Sequence, residues 1–156
     1  MLSMIDWQAE YRKIVQDILQ NDEFRQLANF RHHGTSLLDH CLAVSYISYN
    51  LCRRLGLDYV AAARGGLLHD FFLYDWRLYK RERRGPNHGL NHPRVAFANA
   101  SRHFAVSHKE KDIILKHMMP KLWGLPRHRE SWIVSLVDKY VAIREHFGWR
   151  PACPPL

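Results

Sequence analysis

Apolar residues recur along the chain at the three-and-four spacing of amphipathic helices, and no run alternates as a half-buried strand does. Trp7, Tyr11, Ile14, Val15 and Ile18 mark one apolar face and predict a helix over about residues 5–20. Asn21 is placed to cap a short helix carrying Phe24 and Leu27. Ser36 and Asp39 read as a capping box for a stronger helix, whose stripe includes Leu37, Cys41, Val44, Ile47 and Leu51 and which Gly56 ends. Asp58 caps a helix from Tyr59 to about Asp70. From Phe71 to Leu90 the period is lost, and an irregular cationic loop is predicted. Asn91 then caps a helix with Pro93 in its first turn, where proline is tolerated. Ser107 and Glu110 form a second capping box, for a helix that Pro120 stops. Gly124 and Pro126 punctuate a connector over 121–127, and a long helix covers about 129–147. The pattern predicts an all-α fold of six or seven helices in one bundle. Residues 1–30 form a helical extension packed on the core, 31–148 the domain proper, and 149–156 a loose tail.

Composition fits a folded domain: 156 residues, 47% hydrophobic and 24% charged. No apolar run approaches the ~20 residues of a membrane span. The start, Met1 to Trp7, lacks the basic and apolar regions of a secretory signal. Cys41 and Cys52 would lie about 16 Å apart on one helix, beyond disulfide reach. Together these features predict a cytoplasmic protein with reduced thiols. Lys and Arg number 23 against 15 Asp and Glu, a formal charge of +8. Such a surface suits nucleotides, phosphorylated metabolites or nucleic acid alike. The 11 histidines are the unusual count, and their placement decides more.

His40 shares a helix face with Ala43, Val44, Ile47 and Leu51 and so points inward. His117 shares a face with Ile113 and Ile114. Asp138 lies between Val134 and Val141, while Lys139 is expected to point elsewhere on the same helix. The pair His69-Asp70 follows Leu67-Leu68, and Gly65 and Gly66 leave room there for another backbone or a ligand. Buried carboxylates are costly without a cation, and Lys and Arg are scarce on these faces. A bound metal ion is an economical partner. One such histidine is more often a satisfied core residue than a ligand. The set His40, His69, Asp70, His92, His117 and Asp138 is stronger, because it comes from five helices or helix ends. Four imidazoles and two carboxylates suit Fe, Mn, Zn, Ni or Co better than Mg or Ca. With one carboxylate bridging, six side chains suffice for two divalent ions.

The order His40, His69-Asp70, Asp138 resembles the H…HD…D pattern of the HD-domain metal-dependent phosphohydrolases. With His92 and His117 added, it resembles the longer H…HD…H…H…D pattern of the dinuclear branches. Those include the HD-GYP cyclic-dinucleotide phosphodiesterases and the symmetrical diadenosine tetraphosphate hydrolases. Local context agrees in LLDHCLAVSY, AARGGLLHDFF, NHPRVAFANA, ILKHMM and VSLVDKYVA, and the resemblance runs from about His33 to Glu145. It implies that His40, His69, Asp70 and Asp138 bind a first ion and that Asp70 bridges to a second on His92 and His117. It further implies a metal-bridging hydroxide as nucleophile, cleaving a phosphoester or phosphoanhydride of a small molecule, nucleotides included. Two departures narrow the branch. The mononuclear deoxynucleotidases place a catalytic Glu shortly after the HD pair, where this chain has Phe71, Phe72 and Leu73, with Asp75 the nearby acid. The HD-GYP proteins carry adjacent histidines late in the pattern and a GYP stretch, where this chain has His117-Met118 and Gly85-Pro86.

Between the HD pair and His92, Arg77, Lys80, Arg81, Arg83 and Arg84 crowd eight positions. They read as a solvated loop or as a phosphate clamp, with Arg77, Lys80, Arg81 and Arg84 as its substrate contacts. Trp76 and Tyr79 are base-stacking or core residues. His33 and His88 lie near the metal ligands in sequence and are candidates for a phosphate contact or the general acid; with His69 and Asp70 they complete the expected catalytic group. His32, His103, His108, His128 and His146 are expected as surface or packing residues. Two other function classes fit parts of the pattern. Di-iron oxygenases of the HD fold, such as the inositol oxygenases, use the same six ligands. A non-enzymatic nucleic-acid binder fits the charge alone. The location of the charge disfavours nucleic acid, and no membrane partner is expected.

Overall fold

A computed structural model describes residues 4–81, 88–120 and 124–149. Eight α-helices lie among them: α1 (Met4–Leu19), α2 (Asp22–Arg25), α3 (Leu37–Arg54), α4 (Tyr59–Leu68), α5 (Trp76–Arg81), α6 (His88–His103), α7 (His108–Lys116) and α8 (Arg129–His146). The all-α expectation holds, with one helix more than the longer count. The addition is α5, which forms inside the stretch read as irregular; Asp75 Oδ1 accepts the Arg77 N–H at 2.8 Å and closes its first turn. Among the described residues α6 runs from His88, so the expected Asn91 cap and Pro93 both sit inside it. A two-residue hairpin, β1 (Arg31–His32) with β2 (Thr35–Ser36), joins α2 to α3 and is too short to leave an alternating pattern. The predicted loose tail lies outside the described residues from 150 onward, as do 121–123 of the connector and 82–87 of the cationic loop.

Side-chain caps fix where the helices start. Asn21 accepts from Phe24 N, Ser36 from Asp39 N and Asp58 from Ala61 N. The Ser107–Glu110 capping box is complete in both directions. Glu110 also binds Arg64 Nε at 3.0 Å, and Arg64 reaches Asp17 through two nitrogens and the Ile14 carbonyl. One guanidinium therefore ties α1, α4 and α7 together.

Helix α3 runs between two apolar clusters. On one side Leu37, Cys41, Leu42 and Tyr49 pack with Tyr11, Val15 and Ile18 of α1 and with Leu67, Leu68, Phe71 and Phe72. On the other, Val44 and Cys52 pack with Ala61, Ala62, Ile113, Val134, Val137 and Val141. Cys41 and Cys52 are buried free thiols. The approach of α4 to its neighbours depends on its glycines: a Cβ at Gly66 would lie 3.1 Å from Ser45 Cα, and one at Gly65 2.8 Å from Ile113 Cδ1. This packing brings the last turns of α4 and α7 against the inward faces of α3 and α8. Among the described residues no helix is long and apolar enough to cross a membrane.

Candidate metal centre

The six side chains expected as ligands meet at one place, where the C-terminal ends of α4 and α7 face α3, α6 and α8. His40, His69, His92 and His117 are buried, as are Asp70 and Asp138. Asp138 Oδ1 lies 3.0 Å from His40 Nε2 and 3.4 Å from His69 Nε2. Asp70 Oδ2 lies 3.6 Å from His69 Nε2, while its Oδ1 lies 3.2 Å from His92 Nε2 and 3.4 Å from His117 Nε2. His40, His69 and Asp138 form one group with metal-ligand spacing, and His69, Asp70 and His117 another.

Backbone carbonyls set the tautomers. His69 Nδ1 donates to Gly66 O at 2.7 Å, His92 Nδ1 to His88 O at 3.0 Å and His117 Nδ1 to Ile114 O at 2.8 Å. Each of these rings therefore turns an Nε2 lone pair into the cluster. His69 and His117 are also the C-cap residues of α4 and α7, so each uses a carbonyl from the last turn of its own helix. His117 is held further from α8: Ser135 Oγ and Lys139 Nζ donate to its carbonyl at 2.6 and 2.9 Å.

The result is a buried crowd of acceptors. His69 Nε2 and Asp70 Oδ1 have no aligned hydrogen-bond partner. His92 Nε2 and His117 Nε2 are 2.8 Å apart, and in the tautomers their carbonyl bonds select, both are acceptors. Lone pairs facing one another in a buried site repel unless a cation lies among them. The donor set is mixed imidazole and carboxylate, so the residues fit a transition-metal centre. Where these rings are protonated instead, opposite charges inside the cluster support one another. Burial pushes the Asp70 carboxyl up, but the His69, His117 and His92 rings outweigh it and hold the group well below the usual range. Asp138 is likewise held well below that range by His40 and His69, against burial. Burial pushes His40 down, yet the carboxylates of Asp138 and Glu145 on its two nitrogens raise it to about 10.

Glu145 and His32 stand beside these residues, and the sequence assigns neither of them to the site. Glu145 Oε2 accepts from His40 Nδ1 at 2.9 Å and lies 3.4 Å from His32 Nδ1, and Oε1 accepts from Thr35 Oγ1 at 3.2 Å. Against the cost of burial, His32 and His40 hold Glu145 at about 2. His32 was expected at the surface or in packing; instead its ring lies 4.0 Å from that of His40, and it forms a third ligand-type group with His40 and Asp70. A signal for Glu145 existed, because it follows Asp138 by two helical turns on the same face. His32 has no helical period to betray it.

A cavity of about 370 Å³ opens onto Asp70, His92, His117 and Asp138. Its polar walls are His32, His33, His88 and Lys139, and its apolar walls Phe72, Trp76, Met118, Met119, Pro120 and Ala142. Lys139, expected to point away from Asp138, lines this cavity. His33 sits in the hairpin turn at φ 46°, a left-handed conformation uncommon outside glycine, which turns its ring toward Trp76. His88 stacks on His92 at 4.7 Å and shares a 3.0 Å hydrogen bond with Tyr74 Oη. Burial and the neighbouring His92 lower its pKa to about 4, so it is uncharged near neutrality. Arg77 is exposed, with its guanidinium 5.6 Å from the centre of the Trp76 ring. Lys80 and Arg81 lie on α5, but their side chains, like the whole of Arg83 and Arg84, fall outside the described part. His103 pairs with Glu23 at 2.8 Å, away from the cavity.

A family model described as HD domain matches residues 37–143, more than half of the chain. No curated protein and no solved structure matches it.

Proposed function

Because the chain belongs to the HD-domain family, whose members are in general metal-dependent hydrolases, we propose that it is a phosphohydrolase acting on a small phosphorylated molecule such as a nucleotide. The observation that carries this reading is the convergence of four buried acceptors, His69 Nε2, Asp70 Oδ1, His92 Nε2 and His117 Nε2, with Asp70, His92 and His117 lining a cavity walled by Lys139 and further imidazoles. His40, His69 and Asp138 would hold one ion and His92 and His117 a second, with Asp70 in reach of both groups. Fe, Mn, Zn, Ni and Co all match this donor set. When bound, such a pair supplies an acidified water as nucleophile and neutralises phosphate oxygens.

The chain's own residues do the rest. Glu145 keeps a proton on His40 Nδ1 and so turns Nε2 into the centre. His88, uncharged, is placed to hydrogen-bond a phosphate oxygen, and the Lys139 ammonium brings positive charge to the cavity wall. Phe72, Trp76 and Met118 exclude water and offer a surface for an aryl or other apolar group carried by the phosphate. The exposed Arg77, whose guanidinium lies beside the Trp76 ring of the cavity wall, adds positive charge there. The free thiols Cys41 and Cys52 support a reducing, cytoplasmic setting.

The test is a panel of phosphomonoesters, dinucleoside polyphosphates and cyclic dinucleotides, incubated anaerobically with Mn-loaded protein. Phosphate or nucleotide release that is lost in Asp70→Ala supports the reading. Substrate-dependent O₂ consumption by Fe-loaded protein without such release overturns it in favour of an oxygenase.

A further inference from the structure

Helix α8 is apolar on two opposite sides, and among the described residues only one of them is covered. Its inner face, Val134, Val137, Asp138, Val141 and Glu145, is buried against the bundle. On the other side Trp132, Leu136, Tyr140 and Ile143, continued by Phe147 at the C-cap, are 37%, 58%, 50%, 58% and 81% exposed. At 100° per residue these five fall within an arc of about 80°, centred opposite the buried face. A helix that is apolar all round reads as one buried on both sides. Aromatic side chains carry about 150–250 Å² each, so a stripe of five large apolar residues at these exposures presents on the order of 500 Å².

We propose that this stripe pairs with the same stripe of a second copy of the chain, with the two α8 helices antiparallel. Three features select that occupant. The stripe reads nearly the same in both directions: a twofold axis beside Tyr140 sets Leu136 against Ile143 of the second copy and Trp132 against Phe147, with Tyr140 facing its own counterpart. Two such surfaces together remove about 1,000 Å² from water, enough for a specific interface before any flanking contact is added. The charge placement also fits the antiparallel arrangement. Arg144 borders the stripe, stacked on Tyr140 and Trp149 at 6.0 and 5.0 Å. The acids of α8, Glu130, Asp138 and Glu145, are all buried. A parallel pair would set Arg144 beside its copy with no exposed α8 acid to relieve it. The antiparallel pair separates the two by about 13 Å along the axis, beyond the screening length at physiological salt.

Sedimentation equilibrium of the full chain at tens of micromolar tests the interface. The expected result is twice the 18.5 kDa chain mass. The double variant Leu136→Asp, Ile143→Asp is expected to weaken association about 100-fold or more, with an unchanged far-ultraviolet dichroism spectrum. In a Cys153→Ser background, Tyr140→Cys is expected to give a dimer-sized species with a short bis-maleimide. A wild-type chain that sediments as a monomer overturns the proposal, whether the stripe is covered by residues 150–156 or by another protein. A dimer that survives the double variant overturns it as well, and a dimer that Tyr140→Cys does not cross-link overturns the antiparallel register.

Discussion

His40 Nδ1 and Glu145 Oε2 are 2.9 Å apart, and neither side chain is exposed. The carboxylate lies beyond the residues that the family model matches, yet it fixes the tautomer and orientation of the first histidine of the pattern. Such partners of ligand histidines tune affinity rather than fold. Glu145→Gln is therefore expected to bind Mn or Fe about 10–100-fold more weakly, with the fold retained. Calorimetric titration of metal into chelator-treated protein measures this; an unchanged affinity would remove Glu145 from the centre.

Asp70 approaches three of the four buried histidines of the cluster, so its loss reaches both halves of it. Purified wild-type protein is expected to carry close to two transition-metal ions per chain, and Asp70→Ala none. Elemental analysis checks both numbers. Loss of a single ion in Asp70→Ala would contradict a shared carboxylate.

A methyl group at Gly65 would press into Cδ1, Cγ2 and Cβ of Ile113 at 2.8, 2.9 and 3.0 Å, and a β-branched side chain yields little room. Gly65→Ala is expected to destabilise the fold by about 1–3 kcal/mol through overpacking. Adding Ile113→Val should recover part of that loss. Urea denaturation of the single and double variants measures the coupling.

Asp112 anchors the start of α8. Its Oδ2 accepts from Arg127 N at 2.8 Å and Ser131 Oγ at 2.7 Å, and its Oδ1 pairs with Lys116 Nζ at 2.8 Å. Burial pushes the carboxyl up, but Lys116, Ser131 and the Arg127 N–H together hold it below its ordinary value. A carboxyl depressed on folding contributes stability that is complete above its unfolded value near 3.9 and is lost as pH falls through the lower folded value. Asp112→Ala is expected to cost about 2–3 kcal/mol at neutral pH and to flatten the acid limb of the stability profile. Thermal melts between pH 2 and 7 provide the comparison.

The caps and inward faces were legible because they depend on local spacing. Asn21, Asp58, Ser36 and Ser107 each meet the backbone N–H that their positions require, and His40 and Asp138 point where their apolar neighbours point. Contacts made across the chain were not legible. Glu145 looks like an ordinary charge near a helix end until His40, 105 residues away, accounts for its burial. His32 reaches the centre through a two-residue hairpin with no period at all. The helical wheel directs Lys139 away from Asp138, but its long stem reaches back to the His117 carbonyl. Helix α6 already includes His88 among the described residues, so Asn91 lies inside it, and the His88 ring stacks on His92 one turn on.

Helices α4 and α7 both end on the cluster, at His69 and His117. The negative poles of two helix dipoles thus converge on the place where Asp70 and Asp138 already sit. For an anionic substrate this is a hostile field until cations have entered. On the proposed function the fold thus imposes an order of loading, ions before phosphate, and substrate affinity is expected to rise with how fully the centre is charged.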